Sequence, residues 1–294
     1  MYPSPSTPAI ILFLLIHSSM ASTSTSSPCS LSSLQTATSR YLIAQSTGQL
    51  NWLLPFLSPT NFTYLENLVP LNISNGSILA LFPSGLKVDH SRTAYDVPNC
   101  ASYTELLVTT PSHPYQIGTQ LHLSPSSSGT NLTSSIISIN SIITTNGDLF
   151  FNATHTLHYT LRENWSPIPP GSRDSRAVLQ AAADAYYDVF VNKTVKVPWG
   201  KPCTRLEGGY LDADGDCDTD IPDVTILTTN RRYVIDETLG VVDVISNFGI
   251  LGPDSHEFRI VNGTIRHIHS MTLCSPVANC GLEVPAILTQ DIGF

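Results

Sequence analysis

Three histidines near the C-terminus, His256, His267 and His269, lie in the string Pro253-Asp-Ser-His-Glu-Phe-Arg-Ile-Val-Asn-Gly-Thr-Ile-Arg-His-Ile-His269. Histidine changes charge near neutral pH, so grouped imidazoles can polarise a carbonyl or relay a proton. Three rings on adjoining strands could also hold zinc, or simply hydrogen-bond within a polar core. Nothing else in the chain resembles a metal site, so no metal is assigned. Arg205 and Glu207 alternate onto one face of an extended segment, where an ion pair is the default, and Gly208-Gly209 after them permits close backbone approach. Arg232 and Asp236 stand four apart in strand phase and are expected to tie a sheet to a loop, as are Arg92 and Asp96. The aspartates 212, 214, 216, 218, 220 and 223 imitate the oxygen spacing of a calcium loop. The obligatory glycine of that loop is replaced by Cys217, however, which leaves a solvated acidic loop as the better reading. No Gly-rich phosphate loop, Gly-x-Ser-x-Gly elbow or His-Glu-x-x-His motif occurs. That argues against nucleotide cofactors, serine hydrolases and zinc peptidases; no cofactor is expected.

The histidines need an element to position them. Asn262-Gly263 between two alternating runs is a strong hairpin signal, because a type I′ turn needs positive φ at both central residues. It predicts strands over Ser255–Val261 and Thr264–Thr272. An unbroken register from that turn pairs Ile260 with Ile265, Phe258 with His267 and His256 with His269. One face then carries His256, Phe258, Ile260, Ile265, His267, His269 and Met271, and the other Glu257, Arg259, Val261, Arg266 and Ile268. The first face suits a pocket wall, with the three histidines as the catalytic donors and Phe258, Ile260 and Met271 as substrate contacts.

Composition sets the compartment. Ala9–Ile16 is an apolar run too short to span a bilayer, and Ser19-Met20-Ala21 fits a cleavage site, so residues 1–21 read as a signal peptide. No later run is long enough for a membrane helix, which predicts a secreted or secretory-lumen protein without a membrane span. Six cysteines remain after cleavage, an even count that reads as disulfides with fifteen possible pairings. Cys203–Cys217 is the expected one, closing the acidic loop. Sequons occur at Asn61, Asn72, Asn75, Asn131, Asn152, Asn164, Asn192 and Asn262, marking exposed glycosylation candidates. The net charge of −9 without basic runs disfavours nucleic acid. A homodimer is left open.

Helical spacing predicts helices over Leu31–Leu50 and Asp174–Asn192. Alternation predicts strands at Tyr103–Thr109, Tyr115–Leu123, Ser134–Thr145, Leu149–Arg162, Asn230–Asp236 and Gly240–Phe248, with residues 60–90 irregular and Pro198–Cys203 a turn. The halves echo each other: Leu34-Gln35 opens one helix and Leu179-Gln180 the other, Arg92-x-x-x-Asp96 matches Arg232-x-x-x-Asp236, and His113 then answers His256. The fold class expected is α+β, with two cone-like units from an internal duplication, each a helix plus a curved antiparallel sheet. Residues 22–165 form the N-terminal unit, 172–274 the C-terminal unit and 275–294 a surface tail.

The strings Val197-Pro-Trp-Gly-x-Pro-Cys-x-Arg-Leu-Glu-Gly-Gly209, Asn230-Arg-Arg-Tyr-Val-Ile-Asp236 and Pro253 to His269 resemble a fungal secreted family of unknown-function domains. The last string also resembles the closing hairpin of SnoaL-like, nuclear-transport-factor-2-like proteins. The fungal family includes hetero-Diels–Alderases of tropolone–sesquiterpene (meroterpenoid) biosynthesis. That resemblance implies a deep apolar pocket and a cofactor-free cyclase in secondary metabolism, joining a tropolone o-quinone methide to a humulene-type alkene. The competing class is a non-catalytic secreted glycoprotein that binds a small apolar ligand.

Overall fold

The structure, a computed structural model, describes Met1 and residues 29–74, 84–125, 134–212, 215–219 and 221–290. The signal-peptide segment, the sequons at Asn75 and Asn131, and Asp214 and Asp220 lie outside the described residues.

The chain is mixed α+β and forms two six-stranded sheets of matching strand order, each with a helix on one face. In the first unit α1 (Leu31–Thr47) precedes β1 (Thr63–Glu66), β2 (Val69–Pro70), β3 (His90–Asp96), β4 (Ala101–Val108), β5 (Tyr115–Leu123) and β6 (Ile136–Thr144), in the order β2-β1-β6-β5-β4-β3. A short α2 (Ala153–Thr160) leads to the second unit. There α3 (Arg176–Asp188) precedes β7 (Trp199–Glu207), β8 (Tyr210–Asp212), β9 (Thr228–Asp236), β10 (Val241–Phe248), β11 (Gly252–Val261) and β12 (Thr264–Thr272), in the order β8-β7-β12-β11-β10-β9. Four strands of each sheet form an antiparallel meander; β1 joins β6, and β7 joins β12, in parallel.

The helices form where side chains satisfy their first turns. Ser30 accepts from the Ser33 N–H, and Ser175 from the Val178 N–H. Gly48 ends α1 in the left-handed conformation that glycine adopts without strain. Each helix buries the same spacing against its sheet: Leu34, Ala37 and Tyr41 in α1, Leu179, Ala182 and Tyr186 in α3. This one-sided stripe builds two separate apolar cores. The opposite faces of the two sheets meet each other through a mixed layer that holds Tyr103, Val234, Ile142, Ile245 and Met271 among buried polar side chains.

Several expectations change. The strand predicted over Leu149–Arg162 is instead α2, because Asn152 accepts the His155 N–H and starts a helix. The turn predicted at Pro198–Cys203 is the opening of β7, and β1 and β2 occupy part of the stretch read as irregular. The tail is not merely surface: Asn279 is buried and accepts the Phe150 N–H at 2.7 Å, and Leu288 is buried. The disulfides are Cys29–Cys100, Cys203–Cys217 and Cys274–Cys280. They fit an oxidising compartment. Among the described residues no helix is long and apolar enough to cross a membrane.

Candidate functional site

The hairpin forms as expected at its tip: Val261 pairs with Thr264 and Ile260 with Ile265, with Asn262 and Gly263 both at positive φ. One pair further on the register slips. Arg259 pairs with His267, Phe258 with Ile268, Glu257 with His269 and His256 with Ser270, so Arg266 is an extra residue on β12. A one-residue bulge moves every later side chain to the opposite face. The expected histidine-lined face is therefore corrected. His256, Phe258, Ile260 and Ile268 point to the helix side, while His267, His269 and Met271 point to the layer between the sheets. The three histidines do not form one group.

Phe258 and Ile260 are fully buried in the core of the second unit and Met271 packs with Ile142 and Ile245. None of the three lines the cavity on the helix side. That cavity, ≈ 330 Å³, is walled by Phe190, Ile226, Phe248 and Leu251, and by Leu282 and Pro285 of the tail. Its polar lining is Tyr186, Arg205, Glu207, His256, Ser270 and Thr272. The volume is at the small end of the range for ligand sites, and the mainly apolar wall with a few convergent polar groups is their usual make-up.

His256 is the imidazole that lines this cavity. Its Nδ1 meets the Asp254 carboxylate in a very short contact, and its Nε2 lies 3.3 Å from the Tyr186 hydroxyl. Asp254 also accepts the Thr272 hydroxyl at 2.6 Å. A carboxylate on Nδ1 fixes the tautomer and ring orientation and leaves Nε2 to exchange a proton. Burial pushes the Tyr186 hydroxyl well up from its ordinary pKa, which keeps it a neutral donor or acceptor. Arg205, almost fully buried, stands 3.4 Å from both Glu207 and Asp212. The Arg205–Glu207 pair expected from alternation is present, and Asp212 completes it. Gly208 and Gly209 make the approach their sequence suggested: a Cβ on Gly208 would lie 2.3 Å from the Leu149 carbonyl oxygen.

The first unit shows what is special here. By strand pairing, Thr119 stands opposite Ser141 as His256 stands opposite Ser270, and Ile117 takes the place of Asp254. The helix tyrosine is present in both: Tyr41 bonds Thr119 at 2.7 Å where Tyr186 meets His256. The first unit keeps the tyrosine, but Ile117 and Thr119 stand where the second has its carboxylate–imidazole pair. His113, expected to answer His256, sits in the loop before β5 and plays no such part.

His269 belongs to a buried ion cluster between the sheets. Arg92 donates from Nη2 to Glu257 at 2.6 Å and lies 2.9 Å from Glu105, with its guanidinium carbon 3.6 Å from the Trp165 ring centroid. His269 faces Glu105 from Nδ1 at 2.9 Å and Glu163 from Nε2 at 2.7 Å. Burial opposes the charge on His269, but Glu163 and Glu105 outweigh it and raise its pKa to about 10. Burial likewise opposes ionisation of Glu105, and Arg92 and His269 overcome it to hold the carboxyl at about 2. Burial raises Glu257 despite Arg92. Two cations thus face three carboxyls, and Glu257 is the one that most readily keeps a proton. Glu105, Glu257 and His269 offer ligand atoms within 4.8 Å of one another. They suit a metal poorly, since both ring nitrogens of His269 donate to carboxylates and Arg92 already supplies the positive charge.

His267 is half-buried at the edge of that cluster, 2.8 Å from the Thr204 hydroxyl and 3.6 Å from Glu163; burial lowers its pKa. Neither Arg92 nor Arg232 pairs with the aspartate four residues on, contrary to expectation; Asp96 pairs with Arg176 at 2.7 Å. Asp216 of the acidic loop pairs with Lys201. Of the described sequons, Asn61, Asn72, Asn164, Asn192 and Asn262 are exposed. Asn152 is half-buried, with its amide donated to the Leu288 carbonyl, so a glycan there would displace the tail. Asp254 and Tyr186 escaped sequence reasoning. The helix stripe did include Tyr186, but nothing in the spacing revealed that it meets His256.

Residues 172–272 match a family described as "Domain of unknown function (DUF8021)". No protein of curated function matches the chain. Two crystal structures are distantly similar. One is a DUF4783 family protein from Bacteroides fragilis, at 16% identity and TM-score 0.24, covering 35% of this chain and 95% of that one. The other is a DUF4783 family protein from Bacteroides ovatus, at 12% identity and TM-score 0.24, covering 35% and 92%.

Proposed function

We propose that the cavity of the second unit is the active site of a cofactor-free cyclase acting on small apolar molecules. Its concrete reaction is the hetero-Diels–Alder joining of a tropolone o-quinone methide to a humulene-type sesquiterpene, as the sequence resemblance implies. The observation that carries the reading is the His256–Tyr186 pair lining a mainly apolar cavity, with the Asp254 carboxylate behind the imidazole at a place where the first unit has Ile117.

The chemistry divides into two parts. In the first, protonated His256 delivers a proton to the hydroxyl leaving the precursor's side-chain carbon. A ring hydroxyl returns a proton to the imidazole, and water and a neutral quinone methide result. Asp254 orients the ring and balances its charge; general acid–base help of this kind contributes roughly 10²–10⁴-fold. In the second, the methide and the alkene form one C–C and one C–O bond with no proton moved. Here the cavity acts by removing orientational freedom and by hydrogen bonding the carbonyl oxygen from His256 or Tyr186.

The test is incubation of the purified mature chain with a hydroxymethyl tropolone and humulene, following product by chromatography. Acceleration with one stereoisomer in excess supports the reading. A rate and isomer ratio equal to buffer, with the ligand nevertheless bound, would leave a non-catalytic ligand-binding glycoprotein.

A further inference from the structure

One wall of the cavity is only lightly held by the rest of the fold. Most of the lining belongs to α3 and the strands of the second sheet, but Leu282 and Pro285 come from the tail. The tail is fixed at two places. At its near end the Cys274–Cys280 disulfide closes a small loop, Asn279 accepts the Phe150 N–H at 2.7 Å, and the Asn279 N–H donates to the Gly147 carbonyl at 2.6 Å. At its far end Leu288 is buried, the Asn152 amide donates to the Leu288 carbonyl at 3.0 Å, and His155 Nε2 donates to the Gln290 carbonyl at 2.8 Å. Among the described residues, 283–287 make no hydrogen bond to the body between these ends, and all but Pro285 are exposed. A segment tethered covalently at one end and seated at the other by one leucine and two carbonyls is a strap. It can lift as a unit at a cost set by the far seat.

That far seat is also a sequon, Asn152-Ala-Thr154. The nitrogen that would carry the sugar is the Nδ2 that holds Leu288. Asn152 has no room to turn away. Its Oδ1 accepts the His155 N–H at the start of α2, and a Cβ on Gly209 would lie 2.6 Å from the Asn152 carbonyl oxygen. A sugar is bulky, and it reaches a nascent chain before a segment 136 residues further on can fold back.

We propose that the tail is a strap over the cavity and that the state of Asn152 sets its position. With Asn152 bare, the strap is seated and closes the cavity on that side. With Asn152 glycosylated, the strap is displaced and the cavity is open. The modifying step joins Nδ2 to the anomeric carbon of an oligosaccharide donated by a lipid diphosphate. The glycosyl C–O bond breaks, the diphosphate leaves with the electron pair, and the amide gives up one proton. This is regulation of the ligand site proposed above; it rests on that reading for the ligand but not for the position of the strap.

The full mature chain is made in a glycosylating eukaryotic host beside Thr154→Ala, which keeps Asn152 but loses the sequon. Peptide mass spectrometry reads the occupancy of Asn152, chymotrypsin cleavage within 281–290 reads the strap, and stopped-flow uptake of the apolar fluorophore N-phenyl-1-naphthylamine reads the cavity. Chains that carry the glycan should be cut in the tail and take up the fluorophore roughly tenfold faster than Thr154→Ala. Leu288→Asp added to Thr154→Ala removes the buried seat without a sugar and should restore both effects. Ile287→Asp in the same background, at the exposed neighbour, should restore neither. An unoccupied Asn152 in the wild type overturns the proposal. So does a tail equally protected in glycosylated and Thr154→Ala chains, or equal cleavage in Ile287→Asp and Leu288→Asp. Cleavage in the expected order with no fluorophore bound by any chain would sink the ligand site but not the strap. Equal uptake by all chains, with the tail protected in only some, would sink the gate and leave the ligand site.

Discussion

Asp96 and Asp236 bind each other's strands. The Asp96 carboxylate accepts the Ile235 N–H at 3.0 Å, and the Asp236 carboxylate accepts the Tyr95 N–H at 2.9 Å. The two residues hold equivalent places at the ends of β3 and β9, so the bonds are reciprocal and tie together the edges of both sheets. Asp236 also accepts from Thr238 and Leu239. Removing it leaves three backbone donors without that partner, two of them at the start of one loop. Asp236→Ala should destabilise by about 2–3 kcal/mol in urea titration, and Asp236→Asn, which keeps an acceptor oxygen, by less. A loss in Asn equal to that in Ala would refute the reciprocal-bond account.

The acid–base assignment separates the two units. His256→Ala should lower kcat by roughly 10²–10⁴-fold in the cycloaddition assay while ligand binding persists, and Asp254→Asn should lower it less. Tyr41→Phe, at the equivalent place in the first unit, should cost about 1 kcal/mol of stability and leave kcat unchanged. Full activity in His256→Ala would remove the histidine from the mechanism.

His269 makes stability depend on pH in the alkaline direction. Its pKa is 6.5 as an ordinary histidine and about 10 here. A group whose folded pKa is raised gives its full contribution below the unfolded value and loses it as pH climbs through the folded one. The unfolding free energy should therefore fall between pH 6.5 and 10. His269→Gln should be about 3–5 kcal/mol less stable at pH 6 and should lack that part of the slope. A parallel pH profile in the variant would place the slope elsewhere.

Cys203–Cys217 closes a loop with a sequence separation of 14. Replacing both cysteines with Ser should cost roughly 3 kcal/mol, read as a lowered midpoint in guanidinium. Because Asp212 lies inside that loop and reaches Arg205, the variant should also weaken ligand binding more than a distant lesion of equal stability cost.

Local signals carried far along this chain. Ser175 before the Leu179-Ala182-Tyr186 stripe is enough to start α3, and Asn262-Gly263 is enough to turn the hairpin, because both depend on backbone geometry within a few residues. The even cysteine count and the closure of the acidic loop by Cys203–Cys217 were readable for the same reason. The two-unit α+β plan followed from matching strings at matching spacing. Leu149–Arg162 was misread because its alternation fits a strand as well as a short capped helix, and β7 because Pro198–Cys203 carries turn residues inside a strand.

The site was decided by contacts that no spacing contains. One extra residue, Arg266, sends His269 into an ion cluster with Arg92, Glu105 and Glu163, while His256 remains beside Asp254 and Tyr186. Those partners lie 164 residues away for Glu105 and His269, and 70 for Tyr186 and His256. The sequence by itself determined that imidazoles, carboxylates and an apolar stripe would share a pair of sheets. Only the packing of one sheet on the other, and of α3 on the second, decided which histidine faces a cavity. The reason is physical: a bulge acts on every side chain beyond it, and a buried charge is tolerated only where opposite charges from another part of the chain arrive to meet it.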